Sequence, residues 1–222
     1  MSESAGEQVS WFPATDMLDP DWMRRRVEDT ARRWGSDDAR VNGTLWWYSA
    51  SSTLVAERLA AVLAGRPIPD PDMSPAQCFL RENGYLGGML TTRTTTPAEL
   101  GARLTAALTP LIDVLAEVSG ASPRALWAIT TDSVANRSFD GSPGDRDRAS
   151  EVAEKVVADM RAAGAAAPMP RFVDIHDRWG RIRYTRRSSC CLIYETPGSG
   201  KCVSCPRQSP EIRREKLSSL RA

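Results

Sequence analysis

The stretch TPAELGARLTAALTPLIDVLAEVSG, residues 96–120, is the clearest indication of the fold. Thr96 precedes Glu99 by three residues, the spacing of a capping box in which each side chain bonds to the other residue's backbone. Leucine or valine then recurs every three or four residues from Leu100 to Val118, which is the period of one helix face. The stretch therefore predicts a long amphipathic helix packed on a helical core.

Helical patterns continue on both sides of this stretch. Apolar residues at helical spacing predict four further helices, over residues 20–34, 45–64, 123–134 and 148–163. Asp19 before Pro20 supplies the first of these with an N-cap. The second carries Trp46-Trp47-Tyr48, which we expect to pack into the core rather than to line a substrate pocket. Residues 139–147 are expected to form a loop.

Two pairs of short segments have the pattern of strands. Phe79-Leu80 and Tyr85-Leu86 flank Asn83-Gly84, which is a hairpin signal. Residues 172–175 and 182–184 surround Trp179-Gly180 and also favour strands over helix. The predicted fold class is mainly α: a helical body with a small β-hairpin and an irregular C-terminal cysteine-rich lobe.

The charge divides the chain into unequal parts. Residues 171–222 contain twelve Lys or Arg and five Asp or Glu, a net charge of +7, whereas the preceding residues carry a net charge of −6. We predict a loosely ordered N-terminal segment over residues 1–18, a mainly helical body over 19–168 and a basic C-terminal lobe over 169–222. The whole chain has a net charge of +1, so binding of nucleic acid is not expected.

The composition is that of a globular protein, with 41% hydrophobic and 26% charged residues. It excludes wholesale disorder and collagen-like or coiled-coil architectures. No apolar run approaches the roughly 18 residues of a membrane span, and the first residues show no secretory signal. We therefore expect a cytoplasmic protein.

Five cysteines are distributed unevenly along the chain. Four of them, Cys190, Cys191, Cys202 and Cys205, lie within sixteen residues, and Cys78 stands alone. A chain kept in a reducing compartment rarely uses disulfides for stability, so this grouping indicates metal or redox chemistry. Cys78 is expected to be a small buried hydrophobe.

The spacing of the four cysteines allows more than one cofactor. Cys202 and Cys205 can chelate one metal from a single tight turn. The glycine-containing stretch between Cys191 and Cys202 could fold over a cluster and direct backbone N–H groups at its sulfurs.

A [2Fe–2S] cluster suits this spacing better than zinc does. Adjacent Cys190 and Cys191 fit awkwardly around one zinc ion, whereas a [2Fe–2S] cluster divides its four sulfurs between two irons. A zinc-stabilised, non-catalytic interaction module and a thiol redox pair remain the alternatives. A Rieske centre is excluded because it needs two histidines and the chain contains only His176.

The segment CCLIYETPGSGKCVSCP, residues 190–206, resembles the C-terminal motif of the FhuF-like ferric siderophore reductases. The resemblance implies that Cys190, Cys191, Cys202 and Cys205 bind a [2Fe–2S] cluster and that residues 169–222 form an iron–sulfur lobe. It also implies an oxidoreductase that passes one electron to the Fe(III) of a siderophore, of the hydroxamate type, and releases Fe(II) in the cytoplasm.

Two partners follow from this resemblance: a ferric siderophore and an electron-donor protein. The donor is expected to be ferredoxin-like or a flavin- or NAD(P)H-dependent reductase, because the chain has no dinucleotide fingerprint. Arg186, Arg187, Lys201 and Arg207 are expected to offset the cluster's negative charge or to dock an acidic donor. The sequence identifies no substrate-binding residue and no catalytic residue beyond the cluster.

Overall fold

The computed structural model describes residues 9–178 and 180–221. Its helices are α1 (Pro20–Trp34), α2 (Ala39–Ala64), α3 (Leu100–Ser119), α4 (Pro123–Gly141), α5 (Arg146–Ala162) and α6 (Pro210–Ser218). Its strands are β1 (Ser10–Pro13), β2 (Ile68–Pro69), β3 (Gln77–Leu80), β4 (Leu86–Leu90), β5 (Thr94–Thr95), β6 (Phe172–Asp177) and β7 (Gly180–Thr185). The predicted mainly α fold with small strand pairs is confirmed.

Helices α2 and α4 lie together at the centre of the body. Trp46 and Trp47 of α2 are buried, and the Trp47 indole Nε1 donates hydrogen bonds to the Leu126 carbonyl at 2.9 Å and to the Thr130 hydroxyl at 3.1 Å. The predicted apolar face of α3 also lies in this core, and its leucines from Leu100 to Leu115 are at most 2% exposed. No helix within the described residues is long and apolar enough to cross a membrane.

Side-chain caps determine where the helices begin. Asp19 accepts a hydrogen bond from the Trp22 amide at 2.7 Å, as its position before Pro20 predicts. Thr96 and Glu99 make the reciprocal hydrogen bonds of the capping box, with the Thr96 amide 3.4 Å from Glu99 Oε2 and the Glu99 amide 3.3 Å from Thr96 Oγ1. The start of α1 agrees with the sequence pattern, whereas α3 begins at Leu100, one turn after the Thr96 of the capping box.

Three further helix boundaries differ from those that the sequence pattern predicts. Helix α2 begins at Ala39 rather than at residue 45, because Asp38 accepts hydrogen bonds from the Arg40 and Val41 amides. Helix α4 continues to Gly141 and α5 begins at Arg146, so the expectation of a loop over residues 139–147 is wrong for all but residues 142–145. Helix α5 begins at Arg146, where Asp145 caps it.

The predicted hairpin around Asn83-Gly84 is present as β3 and β4 and belongs to a three-stranded sheet. The third strand is β1, which pairs antiparallel with β3 and places Phe12 opposite Cys78. The expected loosely ordered N-terminal segment is wrong where the structure describes residues 10–18, which form β1 and a 3-10 turn. Residues 1–8 lie outside the described residues.

The C-terminal lobe contains more regular structure than the sequence indicates. Strands β6 and β7 form the expected antiparallel hairpin, although Trp179 at its turn lies outside the described residues. Helix α6 was not expected, yet Ser209 caps it by accepting a hydrogen bond from the Ile212 amide at 3.3 Å. Pro210 occupies its first turn, a position that proline favours. The division of the chain into three parts remains a prediction.

Gly101 allows α3 and α5 to approach each other closely. A Cβ atom built on Gly101 would lie 2.4 Å from Asp159 Cβ and 2.8 Å from the Met160 amide nitrogen. Because one of these atoms belongs to the backbone, a side chain at position 101 would force the two helices apart.

We expect Gly101→Ala to lower the free energy of unfolding by about 1–3 kcal/mol, since overpacking outweighs the gain in helix propensity. Urea denaturation followed by circular dichroism measures this. Gly144→Ala is the matched control, because a Cβ at Gly144 would meet no atom within 4 Å. Equal stabilities of the two variants would contradict the close approach of α3 and α5.

Candidate metal centre

The C-terminal segment brings its four cysteines together against the helical body. All four are free thiols. Cys190, Cys191 and Cys205 are buried, and Cys202 is half-buried. They pack with Leu192 against Val41 and Leu45, in the first turns of α2. The site therefore lies against the first turns of α2. Most of these turns precede residue 45, where the sequence pattern predicted the helix to begin.

The four sulfurs form one connected group. Cys190 Sγ lies 3.8 Å from Cys205 Sγ, and the thiols of Cys190 and Cys202 both hydrogen-bond to Cys191. Two thiolates on one tetrahedral metal with 2.3 Å bonds lie about 3.8 Å apart. The spacing of Cys190 and Cys205 matches this value.

Arg187 is the cation of the site. Its side chain is only 1% exposed, and its Nη1 lies 3.7 Å from Cys191 Sγ and 3.5 Å from Cys202 Sγ. Burial acts to lower the pKa of Arg187, but the adjacent Tyr48, Cys191 and Asp132 outweigh burial and hold it above its usual value. The guanidinium thus remains charged beside the sulfurs of Cys191 and Cys202.

Asp132 of α4 fastens the cysteine segment to the body. Its carboxylate accepts hydrogen bonds from the backbone amides of Ser188 at 2.8 Å and Ser189 at 3.2 Å. It also forms an ion pair with Arg187, whose Nε lies 3.5 Å from Asp132 Oδ2. Burial raises the pKa of Asp132 to about 6, against the effect of these donors.

The thiols themselves are coupled. Hydrogen bonds from Cys190 and Cys202 lower the pKa of Cys191, and the charge of Arg187 lowers it further. The same contacts raise the pKa values of Cys190 and Cys202, because each donates to Cys191. Cys191 therefore becomes a thiolate, the form that binds metals, more readily than Cys190 and Cys202.

The backbone turns sharply after the adjacent cysteines. Leu192 has a φ of 64°, in the left-handed region that a leucine rarely adopts, and its amide lies 3.4 Å from Cys190 Sγ. Within the described residues, the amides that reach a sulfur belong to Leu192 and Ile193. Both residues belong to the glycine-containing stretch between Cys191 and Cys202, so this stretch directs amides at the sulfurs as expected, although from its first two residues and not from its glycines.

The other residues predicted for the site lie apart from the sulfurs. Lys201 and Arg207 are exposed and stack on Tyr194, with their charged groups 5.7 and 5.6 Å from the ring centroid. Arg186 is exposed beside α6. Cys78 is buried in β3, where burial raises the pKa of its thiol to about 12. Of the four predicted basic residues, the structure places Arg187 against the sulfurs.

The residues present fit an anionic cluster with two metals. A [2Fe–2S] cluster takes four thiolates, two for each iron, and four thiols lie together here. Arg187 Nη2 is buried without a hydrogen-bond partner, so the site holds donor capacity for further negative charge. No group of three or more His, Cys, Asp or Glu among the described residues has the arrangement of a metal-ion site.

Sequence reasoning missed Asp132 and Tyr48. Asp132 lies near the end of a predicted helix, more than fifty residues before the cysteines, between the polar residues Thr131 and Ser133, and no local pattern distinguishes it. Tyr48 was expected in the core with Trp46 and Trp47, but it is 37% exposed. Its ring centroid lies 4.7 Å from the guanidinium of Arg187, so it borders the cysteine site.

We expect Asp132→Ala to lower the free energy of unfolding by about 3–5 kcal/mol, because it leaves the buried charge of Arg187 and two backbone amides without their partner. Chemical denaturation measures the loss. Asp140→Ala on the same helix removes an exposed ion pair with Arg137 and should cost less than about 1 kcal/mol. A loss for Asp132→Ala no larger than this control would show that the lobe is held by other contacts.

Residues 187–207 match the family model described as the FhuF 2Fe-2S C-terminal domain. The matched region contains the four cysteines and begins at Arg187. No curated protein and no solved structure is significantly similar to the chain. The match agrees with the resemblance of the cysteine motif to the FhuF-like ferric siderophore reductases.

Proposed function

We propose that this protein is a cytoplasmic ferric-siderophore reductase of the oxidoreductase class, with Cys190, Cys191, Cys202 and Cys205 as the ligands of a [2Fe–2S] cluster. When bound, the cluster supplies single electrons for the reduction of Fe(III) to Fe(II). Fe(II) binds anionic oxygen ligands more weakly than Fe(III), so reduction releases iron from a hydroxamate siderophore.

The proposal rests mainly on one observation: four thiols lie together in contact with one buried guanidinium. Arg187 lies within 3.7 Å of two sulfurs, and its buried Nη2 has no hydrogen-bond partner. A buried cation of this kind compensates the charge of a four-thiolate centre, which becomes more negative on reduction. The FhuF 2Fe-2S match over the same residues supports the identity of the cofactor.

The exposed basic residues suit the second predicted partner, an acidic electron-donor protein. Arg186 borders a small surface cavity together with Arg213 and Arg214 of α6. We infer that this arginine surface docks the donor, either ferredoxin-like or a flavin- or NAD(P)H-dependent reductase. Lys201 and Arg207 add positive charge on the lobe, which would accelerate association with an acidic partner at low salt.

Purified protein should be red-brown, and Cys202→Ser should remove most of its visible absorption and its iron. Serine offers a hard oxygen ligand in place of the soft thiolate. Cys78→Ala is the matched control and should keep the spectrum, since Cys78 lies in β3. Anaerobically reduced protein mixed with a ferric trihydroxamate should release Fe(II) to a ferrous chelator, whereas Cys202→Ser should not.

Three results would contradict this proposal. A colourless protein with stoichiometric zinc would favour the interaction module instead. Loss of the visible spectrum in Cys78→Ala, with retention in Cys202→Ser, would overturn the ligand assignment. A reduced, iron-loaded protein that released no Fe(II) from any ferric siderophore would exclude the reductase activity.

Arg187→Gln should lower the midpoint potential of the loaded protein by about 60 mV or more, equivalent to a tenfold change in a one-electron equilibrium constant. A cationic neighbour favours the more negative, reduced form, so removal of the cation makes reduction harder. Arg187→Lys keeps the charge and should restore most of the potential. An anaerobic redox titration followed by absorption measures these values.

Arg186→Gln is the matched control for this titration, because Arg186 is exposed and the structure places it beside α6 rather than beside the sulfurs. Its potential should equal that of the wild type. Equal shifts in Arg186→Gln and Arg187→Gln would show that the lobe acts through its overall charge and not through the buried guanidinium.

A further inference from the structure

An open cleft of about 420 Å³ lies beside the cysteine site. It is lined by residues of α2 and α4, by the cysteine segment and by Tyr85 at the β3–β4 turn. Cys191 and Cys202 line this cleft, whereas Cys190 and Cys205 are not among its lining residues. The volume is within the range of small-molecule sites.

The lining of the cleft has polar groups that the fold does not use. Tyr48, Ser49 and Ser52 follow one face of α2, and Asn136 faces them from α4. Their side-chain hydroxyl and amide groups have no hydrogen-bond partner within the described part of the chain. These groups can donate hydrogen bonds to oxygen atoms of a bound molecule.

Aromatic side chains complete the lining. Trp34 at the end of α1, Tyr48 and Tyr85 provide ring surface for the organic part of a ligand. Tyr85 is held in place by Arg33, whose guanidinium lies 4.1 Å from the ring centroid.

Two arginines, Arg137 and Arg187, also line the cleft. Each is ion-paired with a carboxylate of α4, Arg137 with Asp140 and Arg187 with Asp132, so neither brings an uncompensated charge. A cleft that combines rings with free hydroxyl and amide groups suits a neutral, oxygen-rich organic molecule.

The lining contains no group that would take iron from its carrier. Among the described residues that line the cleft, none is Asp, Glu or His. Hard cations such as Fe(III) prefer carboxylate oxygens, and burial raises the pKa of Tyr48, which keeps its hydroxyl protonated. The cleft can therefore hold an intact ferric chelate without exchanging its ligands.

We propose that this cleft binds the ferric trihydroxamate complex as an intact, uncharged chelate, with its iron end against Cys191 and Cys202. The inference rests on the proposed function and adds the place and charge class of the substrate. One electron enters the bound Fe(III) from the side of these two sulfurs, and no bond forms between the protein and the chelate. The hydroxamate oxygens take up protons from solvent as Fe(II) leaves.

The test uses ferrichrome, a neutral trihydroxamate, loaded with Ga(III), which has the charge of Fe(III) but is not reduced. Isothermal titration of the iron–sulfur-loaded protein should show binding. Tyr48→Phe and Asn136→Leu should each weaken it about 5- to 10-fold through loss of one hydrogen bond. Ser52→Trp should weaken it more than tenfold by filling the cleft. Tyr184→Phe on β7, outside the cleft, is the matched control and should bind as the wild type does.

The same variants assayed with ferric ferrichrome should show a raised KM with little change in kcat, because the substitutions remove binding and leave the sulfurs in place. Unchanged far-UV circular dichroism and visible spectra confirm that each variant folds and carries its cluster. The negatively charged ferric tricatecholates should bind more weakly than ferrichrome.

The outcomes separate this inference from the proposed function. Binding of gallium ferrichrome that is equal in wild type, Tyr48→Phe, Asn136→Leu and Ser52→Trp would overturn the cleft as the docking site. Fe(II) release without measurable gallium ferrichrome binding would do the same, and the reductase activity would stand. Cleft-dependent binding without Fe(II) release would support the docking site and exclude the reductase function. Protection of the cleft by the electron-donor protein instead of the chelate would assign it to the donor.

Discussion

The carboxylate of Asp132 connects the two halves of this molecule. It lies on α4, in the centre of the helical body, and accepts hydrogen bonds from the two backbone amides that precede the adjacent cysteines. It also faces Arg187, the cation that lies against two of the four sulfurs. A buried carboxylate is costly unless it is paired, so its position determines where the cysteine segment can lie.

This connection gives the site two distinct sides. Cys190 and Cys205 are buried beneath Leu192 and the first turns of α2, whereas Cys191 and Cys202 border an open cleft. The arginines of the surface beside α6 lie elsewhere on the lobe. Under the proposed function, the electron donor and the ferric chelate therefore dock on different surfaces and do not compete.

Local signals predicted those parts of the structure that depend on nearby residues. The capping box at Thr96 and the leucine stripe of α3 are local patterns, and both are present as expected. The early start of α2 was missed because Asp38 precedes several polar residues that obscure the helical period. The segment at residues 10–13 forms a strand only because β3 supplies a partner more than sixty residues away, which no local pattern reports.

In the candidate site, too, local features were predicted from the sequence and features that depend on distant residues were not. The cysteine spacing is a local motif, and it predicted which residues belong together and which family they resemble. Neither the roles of Asp132 and Tyr48 nor the separation of Arg186 from Arg187 follows from spacing, because each depends on how the lobe packs on the body. Two neighbouring arginines in the sequence have entirely different surroundings in the structure.

The long sequence separations across the lobe interface have a consequence for the order of folding. The hydrogen bonds of Asp132 span 56 and 57 residues, and the ion pair between Arg40 and Glu195 spans 155. Contacts of such high contact order form slowly, after local helices have formed. Residues 187–205 leave the ribosome after α2 and α4, so the thiols become enclosed late, when this segment docks on those helices. Loading of the proposed cluster would therefore be coupled to the final step of folding.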